Sequence, residues 1–153
     1  MKFILLTHER ELLKGTNTGR IVNEVLGGDV IIILWKRKQP NDFLVNLLDT
    51  KKAALVFPVN DTEDSDNTPE NYEYLVILDA TWQEARKMFN RSSYLNQADR
   101  VSVKTTKPSV FKLRRNQIEG GLSTAECVIA LLGHQNTSDK RQLLEQRFEL
   151  FNQ

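Results

Sequence analysis

Two short runs, VIIIL at Val30–Leu34 and LVIL at Leu75–Leu78, constrain the fold more than any other feature of the chain. Neither is broken by a polar residue, whereas a strand with one wet face would alternate. Both runs therefore predict strands covered on both faces, the pattern of a mainly parallel sheet held between helices in an α/β layer fold. Strand-like runs are expected at Phe3–Thr7, Asp29–Leu34, Ala53–Phe57, Tyr74–Leu78 and Arg100–Lys104. Helical patterns alternate with them at Gly19–Leu26, Asp42–Leu48 and Thr81–Asn90, and two more near Ser123–Leu132 and Asp139–Phe151 close the chain. No internal repeat is visible.

A length of 153 residues suits one domain that can bury a sizeable core without staples, and the single cysteine, Cys127, rules out an internal disulfide. No apolar run approaches the roughly 20 residues of a membrane span. The opening MKFILLTHERE has too short an apolar stretch for a signal-peptide core and is read as the first strand, so a soluble, cytoplasmic protein is expected. The net charge of +1 hides an asymmetry. Asn41–Glu84 holds ten acids and two bases, whereas Arg86–Arg115 holds nine bases against Asp99 alone. Such a basic segment can steer an anionic ligand, although a solvated helix face followed by a basic loop gives the same composition. The acidic insertion Asn60–Glu73, with Pro69, is expected to be a mobile surface loop.

Three stretches carry candidate chemistry. In LLTHERELLKGTNTGR a strand ends at His8 and Glu9, and a polar turn with Gly15, Asn17, Thr18 and Gly19 leads into a helix. That turn offers N–H groups and hydroxyls to a polar ligand, or Thr18 simply caps the helix. The chain has neither G-x-G-x-x-G nor G-x-x-x-x-G-K-[ST], which removes the best support for dinucleotide and P-loop readings. In LVILDATWQEARKMF a buried strand meets a helix at Asp79, Thr81 and Trp82, at the strand end where α/β proteins bind ligands. Asp79 or Thr81 as N-cap and Trp82 as core is the plain alternative; capping explains either polar residue but not both together with the indole. In GGLSTAECVIALLG, Ser123 and Glu126 form a capping-box pattern, and the paired glycines permit close approach of a ligand.

LLTHERE with TNTGR, then LDATW, then LSTAE resemble, in order, the signature blocks of the DTW-domain proteins, in particular the bacterial tRNA-uridine aminocarboxypropyltransferases. The resemblance covers nearly the whole chain. It implies a knotted, SPOUT-like fold and transfer of the 3-amino-3-carboxypropyl group of S-adenosylmethionine to a uridine of tRNA, leaving methylthioadenosine; no metal is expected in this chain. Many bacterial members carry an N-terminal cysteine cluster that looks zinc-binding; this sequence begins at its first strand, and Ala80 stands where glycine is common.

On that resemblance, a carboxylate is expected to deprotonate the uracil imide nitrogen, with Asp79 the first candidate and Glu126 the second. Trp82 would stack on the adenine or the target base. Asn17, Thr18, Thr81, Ser123 and Thr124 would hold the donor, and Arg86, Lys87, Lys112, Arg114 and Arg115 would track RNA phosphates. A SPOUT-like methyltransferase and a non-catalytic RNA-binding module are the alternatives.

Overall fold

A computed structural model of the chain describes residues 1–57, 67–103, 110, 122–133 and 138–153. Five strands, β1 (Lys2–Thr7), β2 (Val30–Leu34), β3 (Ala53–Val56), β4 (Tyr74–Asp79) and β5 (Arg100–Val101), form one sheet in the order β2-β1-β4-β3-β5. Every pairing is parallel, with Phe3 beside Val30 and Leu75, and Thr7 beside Leu34 and Asp79. The helices are α1 (Gly19–Leu26), α2 (Asp42–Asp49), α3 (Trp82–Arg91), α4 (Ser93–Asn96), α5 (Thr124–Leu132) and α6 (Ser138–Phe151). The expected α/β class is therefore present, and α4 is an addition that periodicity missed.

The two-residue period of the strands sorts the core into two layers. Phe3 and Leu5 of β1 with Leu75 and Ile77 of β4 pack against Ile21 and Val22 of α1, Val128 of α5 and Leu144 of α6. Ile4 and Leu6, with Val76 and Leu78, face Leu44 and Leu47 of α2, Met88 of α3 and Leu95 of α4. Odd-numbered positions of β1 and β4 thus look towards α1, α5 and α6, and continuing that alternation sends Thr7 and Asp79 the same way.

Two expectations need correction. LVIL is buried on both faces, but VIIIL is the edge strand β2, with Ile32 46% and Leu34 38% exposed. An unbroken apolar run marks one buried face here and an uncovered second one. The latter part of the acidic insertion is anchored and not a loose loop: Asn67 Nδ2 donates to the Arg100 carbonyl at 3.2 Å, and the Tyr72 hydroxyl donates to Asp99 at 2.9 Å. Burial and the neighbouring Asp99 carboxylate push the Tyr72 phenol up to about 12. Residues 58–66 of that insertion, and Lys104 of the expected fifth strand, lie outside the described residues.

Candidate active site

The connection leaving β1 runs to β2 on one side, while that leaving β4 runs past β3 to β5 on the other. The carboxyl ends of β1 and β4 therefore flank a topological switch point, the crevice in which open α/β sheets bind ligands. Thr7 and Asp79 are the last residues of those two strands and lie in register.

Asp79 is 5% exposed. Its Oδ1 accepts from Asn17 Nδ2 at 3.0 Å and from the Thr124 hydroxyl at 2.8 Å, while Oδ2 accepts from Asn17 Nδ2 at 3.1 Å and lies 3.4 Å from Thr7 Oγ1. Asn17 Nδ2 also donates to Glu11 Oε2 at 3.1 Å, and Lys14 Nζ pairs with Glu11 Oε1 at 3.0 Å. Burial raises the Asp79 pKa above its ordinary value, against the lowering effect of the Asn17 and Thr124 hydrogen bonds; the Glu11 charge adds to the rise. Asp79 lines a cavity of about 280 Å³ together with Glu11, Leu12, Gly19, Arg20, Glu24 and Ile32.

The starts of two helices converge on this carboxylate. Thr18 stands at the N-cap position of α1 but makes no capping hydrogen bond there; its Oγ1 accepts from the Ala125 N–H of α5 at 3.0 Å. The plain alternative for Thr18 is thus overturned: it ties α1 to α5. Gly19 is required by the same crowding, since a Cβ built on it would stand 2.6 Å from Asp79 Oδ2 and 2.9 Å from Asn17 Oδ1. Ser123 caps α5 by accepting from Glu126 N–H at 3.3 Å, and Glu126 returns through Oε1 to the Ser123 N–H at 3.0 Å.

On the other sheet face, Thr81 caps α3 by a reciprocal box with Glu84 (3.2 and 2.9 Å). Asp79 therefore caps nothing. Burial opposes ionisation of Glu84, but hydrogen bonding from Thr81 and the nearby His8 hold its pKa below the ordinary value. Trp82 is half-buried and stacks on Phe57 with centroids 5.9 Å apart; Phe57 stacks on Phe89 at 4.4 Å, and the Arg100 guanidinium lies 5.0 Å from the Phe89 ring centre.

A family model described as DTW domain matches residues 1–153. The chain belongs to the DTW-domain family. A curated relative, tRNA-uridine aminocarboxypropyltransferase 2 of Drosophila melanogaster, is 25% identical over 132 residues, which is 82% of this chain and 52% of the relative. The chain thus spans about half the length of that relative. No solved structure matches.

Within this DTW-domain chain, Asn17 and Thr124 hydrogen-bond to Asp79, while Thr18 holds the Ala125 N–H and Ser123 caps α5. Trp82 instead stacks on Phe57, whose ring packs against the layer of α2, α3 and α4. Both Glu126 oxygens accept backbone N–H groups, Oε1 from Ser123 and Oε2 from Val110 at 2.9 Å. Arg86 and Lys87 are exposed on α3, while Lys112, Arg114 and Arg115 lie outside the described residues. Sequence reasoning missed Thr7 and Glu11, and named Gly19 only as part of a polar turn. Thr7 was findable as the register partner of Asp79 and Gly19 as a glycine at a helix start, but nothing marks Glu11 among its charged neighbours. Among the described residues, no His, Cys, Asp or Glu group converges to hold a metal, and no helix is long and apolar enough to cross a membrane.

Proposed function

We propose that this chain transfers the 3-amino-3-carboxypropyl group of S-adenosylmethionine to a uridine base of tRNA. The family and the name of the relative support this reading. The observation that carries it is the Asp79 carboxylate, buried at the switch point, raised in proton affinity and open to a cavity. The proposal also includes the knotted, SPOUT-like path and the reading of residues 1–153 as a single DTW domain.

The cavity suits part of the donor. At about 280 Å³ it lies just below the ~300–1,000 Å³ that encloses a whole small ligand. Glu11 and Glu24 on its walls are already paired with Lys14 and Arg147, which leaves Asp79 and Arg20 as the opposite charges that a zwitterionic donor would meet. The donor's ammonium would face Asp79, which Asn17 and Thr124 fix, and its carboxylate would face Arg20. A sulfonium makes each attached carbon electrophilic, so the carbon aimed at the nucleophile decides the product. The uracil imide N–H passes its proton to Asp79, a C–N bond forms to the terminal propyl carbon, and the C–S bond breaks with its electron pair left on sulfur. The raised pKa of Asp79 brings it closer to the proton it must accept. Glu126, engaged on two backbone N–H groups, is the weaker candidate.

Incubation with S-adenosylmethionine and tRNA, followed by mass spectrometry of nucleosides and small products, tests this. Methylthioadenosine and an aminocarboxypropyl-uridine are expected. S-adenosylhomocysteine would make the chain a methyltransferase, and tRNA binding without donor consumption would make it a non-catalytic RNA-binding module.

A further inference from the structure

We infer that Trp35 and His8, with the basic triplet Lys36, Arg37 and Lys38, form a second RNA-contact site that seats an unpaired base other than the reacting uridine. The inference rests on the tRNA reading above and specifies the form in which the RNA is held.

Trp35 follows the last residue of edge strand β2 and is still hydrogen-bonded to β1, its N–H donating to the Thr7 carbonyl at 2.9 Å. Its indole is half-buried and aimed by a 2.9 Å hydrogen bond from Nε1 to Ser92 Oγ. The His8 ring stacks beside it at 5.9 Å with planes 20° apart. His8 is held in turn: its Nδ1 accepts from the Arg10 N–H at 3.2 Å and lies 3.6 Å from Glu84 Oε2. Two flat rings, one tied through Nε1 to Ser92 and the other through Nδ1 to the Arg10 N–H, make a rigid platform, and base–aromatic stacking is insensitive to which base is presented.

Charge identifies the occupant. Lys36, Arg37 and Lys38 follow Trp35 directly, are all exposed, and have no ion-pair partner among the described residues. A half-buried aromatic beside unpaired cations is the combination that takes a base and its phosphate together. The Trp82–Phe57 stack, with exposed Arg86 and Lys87 about one turn further along α3, repeats that combination. A helical duplex keeps its bases stacked on each other, so the surface selects an opened, single-stranded stretch.

The chain has two tryptophans, Trp35 and Trp82. Trp82→Phe leaves Trp35 as the sole indole, and Trp35→Phe leaves Trp82. We expect tRNA and an oligouridylate to quench Trp35 emission in Trp82→Phe, with a midpoint matching the filter-binding affinity, and a blunt RNA duplex to leave it unchanged. The surface variant Lys36→Glu/Arg37→Glu/Lys38→Glu should keep its melting temperature and weaken tRNA binding by about 10-fold or more at 0.1 M salt. Its salt slope should flatten by about one for each phosphate no longer neutralised. If wild-type protein binds tRNA while Trp35 stays silent or the triple variant binds unchanged, this inference fails and the tRNA reading stands. If wild-type protein binds no tRNA, both fail.

Discussion

Gly19→Ala tests the geometry of the candidate site with a single methyl group. A Cβ at Gly19 would lie 2.6 Å from Asp79 Oδ2, 2.9 Å from Asn17 Oδ1 and 3.2 Å from Asp79 Cγ, well inside the 3.4 Å at which ordinary contact begins. Asp79 has little room to retreat, because both its oxygens are held by Asn17 and Oδ1 also by Thr124. If the carboxylate turns away, it loses charge-assisted hydrogen bonds worth about 1.5–3 kcal/mol each. If the start of α1 shifts outward instead, overpacking costs about 1–3 kcal/mol. Against either stands a gain of about 0.4–1 kcal/mol from the stiffer unfolded chain. A net loss of about 1–3 kcal/mol is expected, and at about 2–4 °C per kcal/mol for a chain of this size the melting temperature should fall by several degrees. Gly28→Ala is the control, since nothing lies within 4 Å of its Cβ, and it should be neutral or slightly stabilising. Urea and thermal melts of the two variants read the difference. Gly19→Ala as stable as Gly28→Ala would refute the crowding around Asp79, and with it the geometry of the site.

Asp79→Asn should lower turnover about 10²–10⁴-fold if Asp79 is the base; the same variant should lose about 1–3 kcal/mol of stability, because an amide replaces one of two acceptor oxygens facing Asn17 and Thr124, and wild-type turnover in a folded variant would end the assignment. Because burial raises its pKa, the stability Asp79 contributes is complete below the unfolded carboxyl value of 3.8 and is lost as pH rises through the folded value. The stability of Asp79→Asn relative to wild type should therefore improve with pH across that window, and a flat difference would contradict the buried charge. Thr18→Val strands the buried Ala125 N–H and should cost about 1–3 kcal/mol; a loss of only a few tenths by urea melt would mean that Thr18 does not join α1 to α5. Trp82→Ala removes a half-buried ring from a stack, so the stability loss should fall short of the ~3–5 kcal/mol of a fully buried aromatic, while base binding weakens by about 1–3 kcal/mol; a full core loss with unchanged RNA and donor affinity would return Trp82 to the core. S-adenosylmethionine should raise the melting temperature by mass action, and no shift at concentrations far above micromolar would count against the donor assignment.

The fold was legible where local pattern and global position agree. LVIL reads as a buried parallel strand and is one, because β4 lies between β1 and β3 with helices over both faces. VIIIL reads the same way, yet it forms the edge strand, since a sequence run records apolar character and not which neighbours arrive to cover it. The capping boxes Thr81/Glu84 and Ser123/Glu126 were legible because all their partners lie within three residues. Thr18 was not, because the N–H it satisfies belongs to Ala125, 107 residues along the chain. Glu11 was equally silent: its link to Asp79 runs through one amide, Asn17 Nδ2.

Local capping also explains why Asp79 stands out as a functional candidate. α3 begins at Trp82, and its box is closed by Thr81 and Glu84 alone. α5 begins at Thr124 with its box closed by Ser123 and Glu126, and Thr18 takes the next N–H. Neither helix start needs the Asp79 carboxylate, so capping cannot be what holds a charge at a 5% exposed position with a desolvation cost that raises its pKa. The Thr124 hydroxyl, released from capping duty by Ser123, is free to donate to Asp79. The neighbours thus satisfy one another and leave an acidic group fixed beside a cavity, a costly arrangement in a fold that would be simpler with an apolar residue there. Strain of this kind collects at functional sites. Replacement of Asp79 by a residue of matched shape should therefore cost activity out of proportion to stability, and the paired melts and product assays of Asp79→Asn are where that disproportion is measured.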